Sequence, residues 1–191
     1  MTQDSVDQHS GMDEAGPRLR AARVAKGLTL AAVAEQAGIS KGFLSLAERG
    51  RTRVSVPNLL AICAALDISI GSLFAYPDST VVGRGSRLQM GGIGVDEYLL
   101  TPAEQPHLQV MRTRLQPGGG SGGAYRLDSE TVFALVLAGA LQIVVDGEPR
   151  LLAEGESTTY PARSLHEWIN PSESDGAEVI FVFAPPLPRD P

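Results

Sequence analysis

Two groups of side chains carry the chemistry open to this sequence. Residues 17 to 76 hold eight basic side chains, Arg18, Arg20, Arg23, Lys26, Lys41, Arg49, Arg51 and Arg53, against three acidic ones. Their net +5 stands within a chain whose formal charge is −6. A compact cationic module on an acidic protein suits contact with phosphates, because each cation placed on a nucleic-acid backbone releases counterions. The second group lies further along the chain. Arg112, Arg114 and Arg126 offer planar donor forks that match a carboxylate or a phosphate, and Tyr125, Tyr160, His166 and Trp168 add polar tips on aromatic bodies.

The residue types also exclude chemistry. No Ser/His/Asp or Cys/His set is present as a candidate: His9 lies in an acidic N-terminal stretch and His107 follows Pro106 near a strand start. Gly118-Gly119-Gly120 lacks the lysine and the preceding strand of a phosphate-binding loop. No catalytic residue is therefore expected. A single cysteine, Cys63, allows neither an internal disulfide nor a cysteine-rich metal cluster, which fits a reducing cytoplasm. The longest apolar run, Val132 to Leu141, is ten residues, too short for a membrane span. Residues 1–16 carry Asp4, Asp7, Asp13 and Glu14 with no lysine or arginine, the reverse of a signal peptide, and read as a disordered acidic tail.

Charge and texture change together at about residue 76, and they divide the elements that must position these side chains. Residues 17–76 read as five short helices. Pro17 occupies a first turn, Thr29, Ser40 and Ser55 are N-caps, and Gly27 and Gly38 are C-caps. Leu19, Ala22 and Val24 give the first helix its apolar face, and Ala37-Gly38-Ile39-Ser40 is a helix-turn-helix connection. The fourth helix begins at Ser55 and the fifth runs from Ile70 to Phe74. Residues 77–105 read as linker and first edge strands, with Val81-Val82 or Leu88 as candidates for pairing.

From residue 106 to 184 the pattern is all-β. The expected strands are His107 to Leu115, Thr131 to Leu137, Leu141 to Val145, Arg150 to Leu152, Ser157 to Tyr160, Glu167 to Asn170 and Val179 to Phe183. Asp146-Gly147 is the tight hairpin signal between two of them, and 185–191 is a Pro-rich tail. The fold class is thus two domains, an all-α helix-turn-helix module followed by an all-β jelly-roll barrel.

The helical residues carry a resemblance. Lys26-Gly27-Leu28-Thr29-Leu30, Val33-Ala34, Ala37-Gly38-Ile39-Ser40, Leu44, Glu48-Arg49-Gly50 and Leu66-Asp67-Ile68-Ser69-Ile70-Gly71-Ser72-Leu73-Phe74 resemble the XRE family of phage-repressor-like DNA-binding domains. Val54 and Pro57 depart from the family's usual Pro and Glu. The resemblance implies that the third helix enters the major groove. It makes Thr29, Ser40, Lys41, Gly42, Ser45, Arg49, Arg51 and Arg53 the DNA-binding residues, with Lys41 the natural guanine reader and the arginines near phosphates. It also implies an ion pair between Arg23 and Glu48 that orients the reading helix.

The strand region resembles the cupin superfamily, in particular the sensor domains that follow XRE modules in bacterial regulators. The second cupin motif is present as Gly155, Pro161, His166 and Asn170. The first keeps its frame, Pro117-Gly118 ahead and Val136 to Leu141 behind, but the positions that metal-binding cupins give to two histidines and a glutamate fall on Arg126, Asp128 and Val132. A divalent ion wants about three converging ligands, and Arg126 puts a permanent cation among them. No metal or other cofactor is expected, although Asp128 with His166 leaves a weak ion site open. The ligand-binding residues expected instead are Arg112, Tyr125, Arg126, Asp128, Tyr160, His166 and Trp168.

These readings imply a cytoplasmic, sequence-specific transcriptional regulator that works as a homodimer on a double-stranded operator. Its cupin domain would sense a small, anionic effector. Trp168, the only tryptophan, is a candidate for core, ligand wall or dimer contact, as is the Val132 to Leu137 strand for dimer contact. Two alternatives stand beside it: an iron-dependent, oxidase-like cupin enzyme with an accessory helix-turn-helix module, and a cupin that only dimerises.

Overall fold

Local capping decides where the helices begin. The computed structural model describes residues 15–74, 76, 85–88 and 91–190, so residues 1–14 of the expected acidic tail and Val81-Val82 lie outside the described residues, whereas Ala15 and Gly16, expected in the tail, belong to the first helix. Among the described residues four α-helices form: α1 (Ala15–Ala25), α2 (Leu30–Gln36), α3 (Lys41–Glu48) and α4 (Val56–Leu66). The hydroxyls of Thr29, Ser40 and Ser55 accept from the N–H groups of Ala32, Phe43 and Asn58 at 3.1, 3.1 and 3.4 Å, satisfying donors that a helix N-terminus leaves open. Gly38, at φ +66°, takes the left-handed turn that lets Ile39 drop between α2 and α3. The expected fifth helix is a single 3₁₀ turn, Ile70–Leu73, since the four residues after Ser69 close one tight turn before Phe74 extends.

Leu19, Val33, Leu44, Leu59, Ile62 and Leu66 form the buried centre of this module. Each removes enough apolar surface from water to contribute about 1.5–3 kcal/mol. Val24 is 60% exposed and does not share the apolar face of α1. The turn of the helix instead sends Gly16 and Leu19 inward, and Gly16 has no room for a side chain against the backbone of Ala47 and Glu48.

Nine antiparallel strands follow among the described residues: β1 (Ser86–Leu88), β2 (Ile93–Leu99), β3 (Gln109–Gly120), β4 (Thr131–Ala138), β5 (Ala140–Val145), β6 (Glu148–Ala153), β7 (Ser157–Pro161), β8 (His166–Ile169) and β9 (Ala177–Ala184). Their order is β6-β5-β8-β3-β9-β4-β7, with β2 pairing the free side of β3 and β1 pairing β2. Period-two burial along β9, with Ala177, Val179, Phe181 and Phe183 inward, shows how alternation fills the barrel. Asp146 and Gly147 both have positive φ, +50° and +88°, and close the two-residue hairpin between β5 and β6. β3 runs on past Leu115, the expected end of this strand, through Pro117 and Gly118, and its far end pairs Gly120 with Ile169.

The helical module and the barrel share backbone hydrogen bonds. Gly92 N–H donates to the Val54 carbonyl at 2.7 Å, and Val56 N–H to the Ser121 carbonyl at 2.9 Å. Residues 185–190, expected as a tail, pack instead as a strap over both domains: Leu187 is buried, Gly71 N–H donates to the Pro188 carbonyl at 3.1 Å, and the Asp190 carboxylate accepts from Ser69 N–H and Ser72 Oγ. The serine donors hold the Asp190 carboxyl below its ordinary range.

Candidate nucleic-acid interface and barrel interior

The N-terminal half of α3 stands clear of the protein. Ser40, Lys41 and Gly42 are exposed, Ser45 is half-buried, and Thr29 is exposed at the start of α2 beside them. Among the described residues a Cβ added at Gly42 would meet nothing closer than Ser40 Oγ at 4.0 Å, so their packing does not ask for glycine there. The opposite face of α3 is fixed by Leu44, Ala47 and Glu48, all buried.

Glu48 is tied down by Arg23 from α1. Arg23 Nε and Nη2 donate to the two carboxylate oxygens at 2.6 and 2.9 Å, and Nη1 donates to the Leu28 carbonyl at 3.0 Å. The hydrogen bond to Glu48 raises the guanidinium pKa further. A bidentate pair of this kind fixes the roll of α3 about its axis, which sets which side chains face outward.

The expected arginines separate. Arg49 and Arg51 are exposed beyond the end of α3. Arg53 turns toward the barrel and donates from Nη1 to the Val95 carbonyl at 3.1 Å, so it joins the domain junction.

In the barrel, the alternation of buried and exposed residues corrects the expected ligand set. Tyr125, Leu127 and Ser129 point inward, whereas Arg126 and Asp128 are exposed, and Asp128 accepts from Arg163 at 2.8 Å on the outside. A one-residue shift in parity moves every side chain to the other face. Glycines 118 to 123 hide that parity in the sequence. Arg112 also leaves the interior: it lies over the Tyr98 ring at 5.0 Å and pairs with Glu178 at 3.6 Å, because β3 turns Met111 and Thr113 inward instead. The cations expected to receive an anion therefore do not converge.

What does converge is an aromatic cluster. His166 is 1% exposed, with its ring 4.4 Å from that of Tyr125 and 5.0 Å from that of Tyr160. Its Nδ1 lies 2.8 Å from the Ser164 carbonyl, which can only accept, so Nδ1 carries the proton and Nε2 presents a lone pair. That buried Nε2 has no hydrogen-bond partner among the described residues. Burial pushes the His166 pKa below its ordinary value and raises those of the Tyr125 and Tyr160 phenols.

Trp168 is core. Its Nε1 donates to Tyr125 Oη at 2.7 Å and its ring lies 5.4 Å from Phe181. The strand Thr131–Ala138 is paired on both sides, by β7 and β9. Inward positions along the motif segments, the β3–β4 connection and strands β4 and β8, thus hold Tyr125, Leu127, Val132 and His166. One imidazole beside phenols of raised pKa and two aliphatic side chains does not fit a divalent metal, which wants about three converging imidazole or carboxylate donors.

Sequence reasoning did not single out Ser121. Its carbonyl receives Val56 N–H, its N–H donates to the Trp168 carbonyl at 2.9 Å, and its hydroxyl donates to the Gly123 carbonyl at 2.9 Å. It links the aromatic cluster to the first turn of α4. Its only signal in the sequence is a serine set among glycines.

The fold and the exposed face of α3 define a two-domain protein in which a helix-turn-helix module is joined to a jelly-roll barrel. Residues 19–73 match the helix-turn-helix family and residues 111–183 match the cupin domain. The chain carries an XRE-type helix-turn-helix domain followed by a cupin domain.

It is 38% identical over 66 residues to the HTH-type transcriptional regulator SinR of Bacillus licheniformis, covering 34% of this chain and 60% of that protein. It is 46% identical over 55 residues to the transcriptional regulator ClgR of Mycobacterium tuberculosis, covering 29% of this chain and 49% of that protein. The chain thus spans only about half of the curated relatives it matches. A crystal structure of an HTH_3 family transcriptional regulator from Vibrio cholerae shares the fold, with a TM-score of 0.62 at 21% identity over 92% of this chain and 97% of that one. Among the described residues no helix is long and apolar enough to cross a membrane.

Proposed function

We propose that this chain is a sequence-specific DNA-binding transcriptional regulator whose cupin domain senses a small molecule. The observation that carries the reading is the pairing of an unobstructed reading face on α3 with a hydrogen-bonded junction to the barrel. Lys41 and its neighbours are exposed and oriented by the Arg23–Glu48 pair, while Val56 of α4 is held by Ser121. Lys41 reads a base edge, and Thr29, Ser40, Arg49 and Arg51 contact phosphates. The relatives named as transcriptional regulators support this for the helical module.

On the sensing side, the effector lies against His166 in the barrel and donates a hydrogen bond to its unpartnered Nε2. It need not be anionic, since Arg112 and Arg126 face outward. An effector shifts operator occupancy only by as much as it distinguishes two domain arrangements, typically about 1–3 kcal/mol. The working form is a homodimer, because one module of this size offers few base contacts and two half-sites about one helical turn apart supply the rest.

Selection of bound fragments from DNA surrounding the gene, with and without candidate metabolites, tests the reading. Recovery of one enriched site whose occupancy responds to a metabolite supports it. Uniform recovery of all fragments overturns it. Sedimentation at micromolar concentration should give a dimer, and a monomer that holds one half-site tightly contradicts that part.

A further inference from the structure

We propose that the acidic N-terminal segment, residues 1–14, docks in a basic groove on the outer side of α1 and competes there with DNA phosphates. The groove, of about 580 Å³, is walled by Pro17, Arg20, Ala21 and Val24 of α1 and by Arg49 and Arg51 beyond α3. Arg20, Arg49 and Arg51 are exposed, and none of the three is paired with a carboxylate among the described residues. Glu48, at the edge of the groove, is already committed to Arg23 and neutralises none of them.

The groove is therefore three unopposed positive charges around an apolar strip. Val24 is part of that strip, and its 60% exposure has no explanation in the packing of the module.

The segment that enters the protein at this place has the complementary chemistry. Residues 1–14 carry four carboxylates, Asp4, Asp7, Asp13 and Glu14, and no lysine or arginine, with Val6 and Met12 as apolar side chains between them. The segment joins α1 at Ala15, two residues before Pro17 in the groove wall. Fourteen residues extend to about 46 Å at roughly 3.3 Å each, so reach is not limiting. Tethering raises the local concentration of the carboxylates into the millimolar range, enough for a weak ionic contact to be populated.

Two of the three cations in the groove, Arg49 and Arg51, are those assigned to phosphates above. The competition rests on that reading, whereas the docking itself does not.

The experiment has two arms. In the first, a labelled peptide of residues 1–14 is added to protein lacking residues 2–13, with and without Arg20→Gln. Saturable binding at low salt that is lost with Arg20→Gln supports docking, and no binding overturns it.

In the second arm, affinity for a random-sequence duplex is compared between the full chain and the Asp4→Asn, Asp7→Asn, Asp13→Asn, Glu14→Gln variant. Neutralising the tail should tighten binding by about three- to tenfold at ~0.1 M salt, with the gain fading as salt rises. In the Arg20→Gln background the gain should shrink. A full gain retained there means diffuse repulsion and overturns docking. Peptide binding without any DNA binding by either protein retains the dock and refutes the DNA-binding reading instead.

Discussion

Val56 N–H donates to the Ser121 carbonyl at 2.9 Å, and this one bond ties the first turn of α4 to the loop that also holds Trp168. Gly122, the next residue in that loop, has φ +75°, and a Cβ there would lie 2.7 Å from Ser55 Cβ. Gly122→Ala should strain the left-handed backbone by about 1–2 kcal/mol and push the two domains apart. Calorimetry of the wild type should give one cooperative transition, and the variant two. A single unshifted transition in the variant means that the junction does not couple the domains.

Gly42 separates folding from function. Among the described residues a Cβ placed there meets only Ser40 Oγ, at 4.0 Å, so Gly42→Ala should stabilise α3 by about 1 kcal/mol through helix propensity. If α3 approaches DNA closely at this point, the same methyl weakens binding. Thermal unfolding should therefore rise while DNA affinity falls.

Glu48 is buried and its partner Arg23 is nearly so, with side-chain exposures of 5% and 13%. Glu48→Ala leaves a buried guanidinium without its carboxylate and should cost about 3–5 kcal/mol. Urea unfolding of the helical module measures it. A loss under about 1 kcal/mol means that the pair is solvated.

His166 predicts a pH dependence with a definite sign. Its folded pKa lies below the ordinary value because burial disfavours the imidazolium. Below about pH 6.5 the unfolded chain takes up a proton here that the folded barrel refuses, so stability rises with pH through this window and falls on acidification. Stability measured from about pH 7.5 to about pH 5 should show this loss, and His166→Phe should reduce its slope. An unchanged slope assigns the loss to other groups.

The helical module was legible in the sequence because its signals are local. Thr29, Ser40 and Ser55 each cap the helix they precede, and a cap depends on residues two or three positions away. The strands Thr131–Ala138 and Ala177–Ala184 were equally legible from their β-branched runs. Arg126, Asp128 and Arg112 were misplaced because inward and outward alternation is a global property, set for Arg112 by the pairing of β3 with β2 and β9 and for Arg126 and Asp128 by the bonds of Tyr125 to His166 and of Leu127 to Ala162, all distant in the chain. The strap at Leu187 to Asp190 was invisible for the same reason: its partners, Gln109, Ser69 and Ser72, lie far away in sequence. Val24 looked like core because an apolar residue on a short helix cannot announce which face it occupies.

With Lys41 as the proposed base reader and Arg51 as a proposed phosphate contact, the ratio of specific to random-sequence affinity is the most direct measurement. With an enriched fragment and a scrambled duplex at fixed salt, Lys41→Ala should lower the ratio by about 1–3 kcal/mol. Arg51→Ala should weaken both affinities alike and flatten the salt dependence. Equal losses on the two duplexes for Lys41→Ala, or no preference for any fragment in the wild type, would contradict sequence-specific recognition by α3.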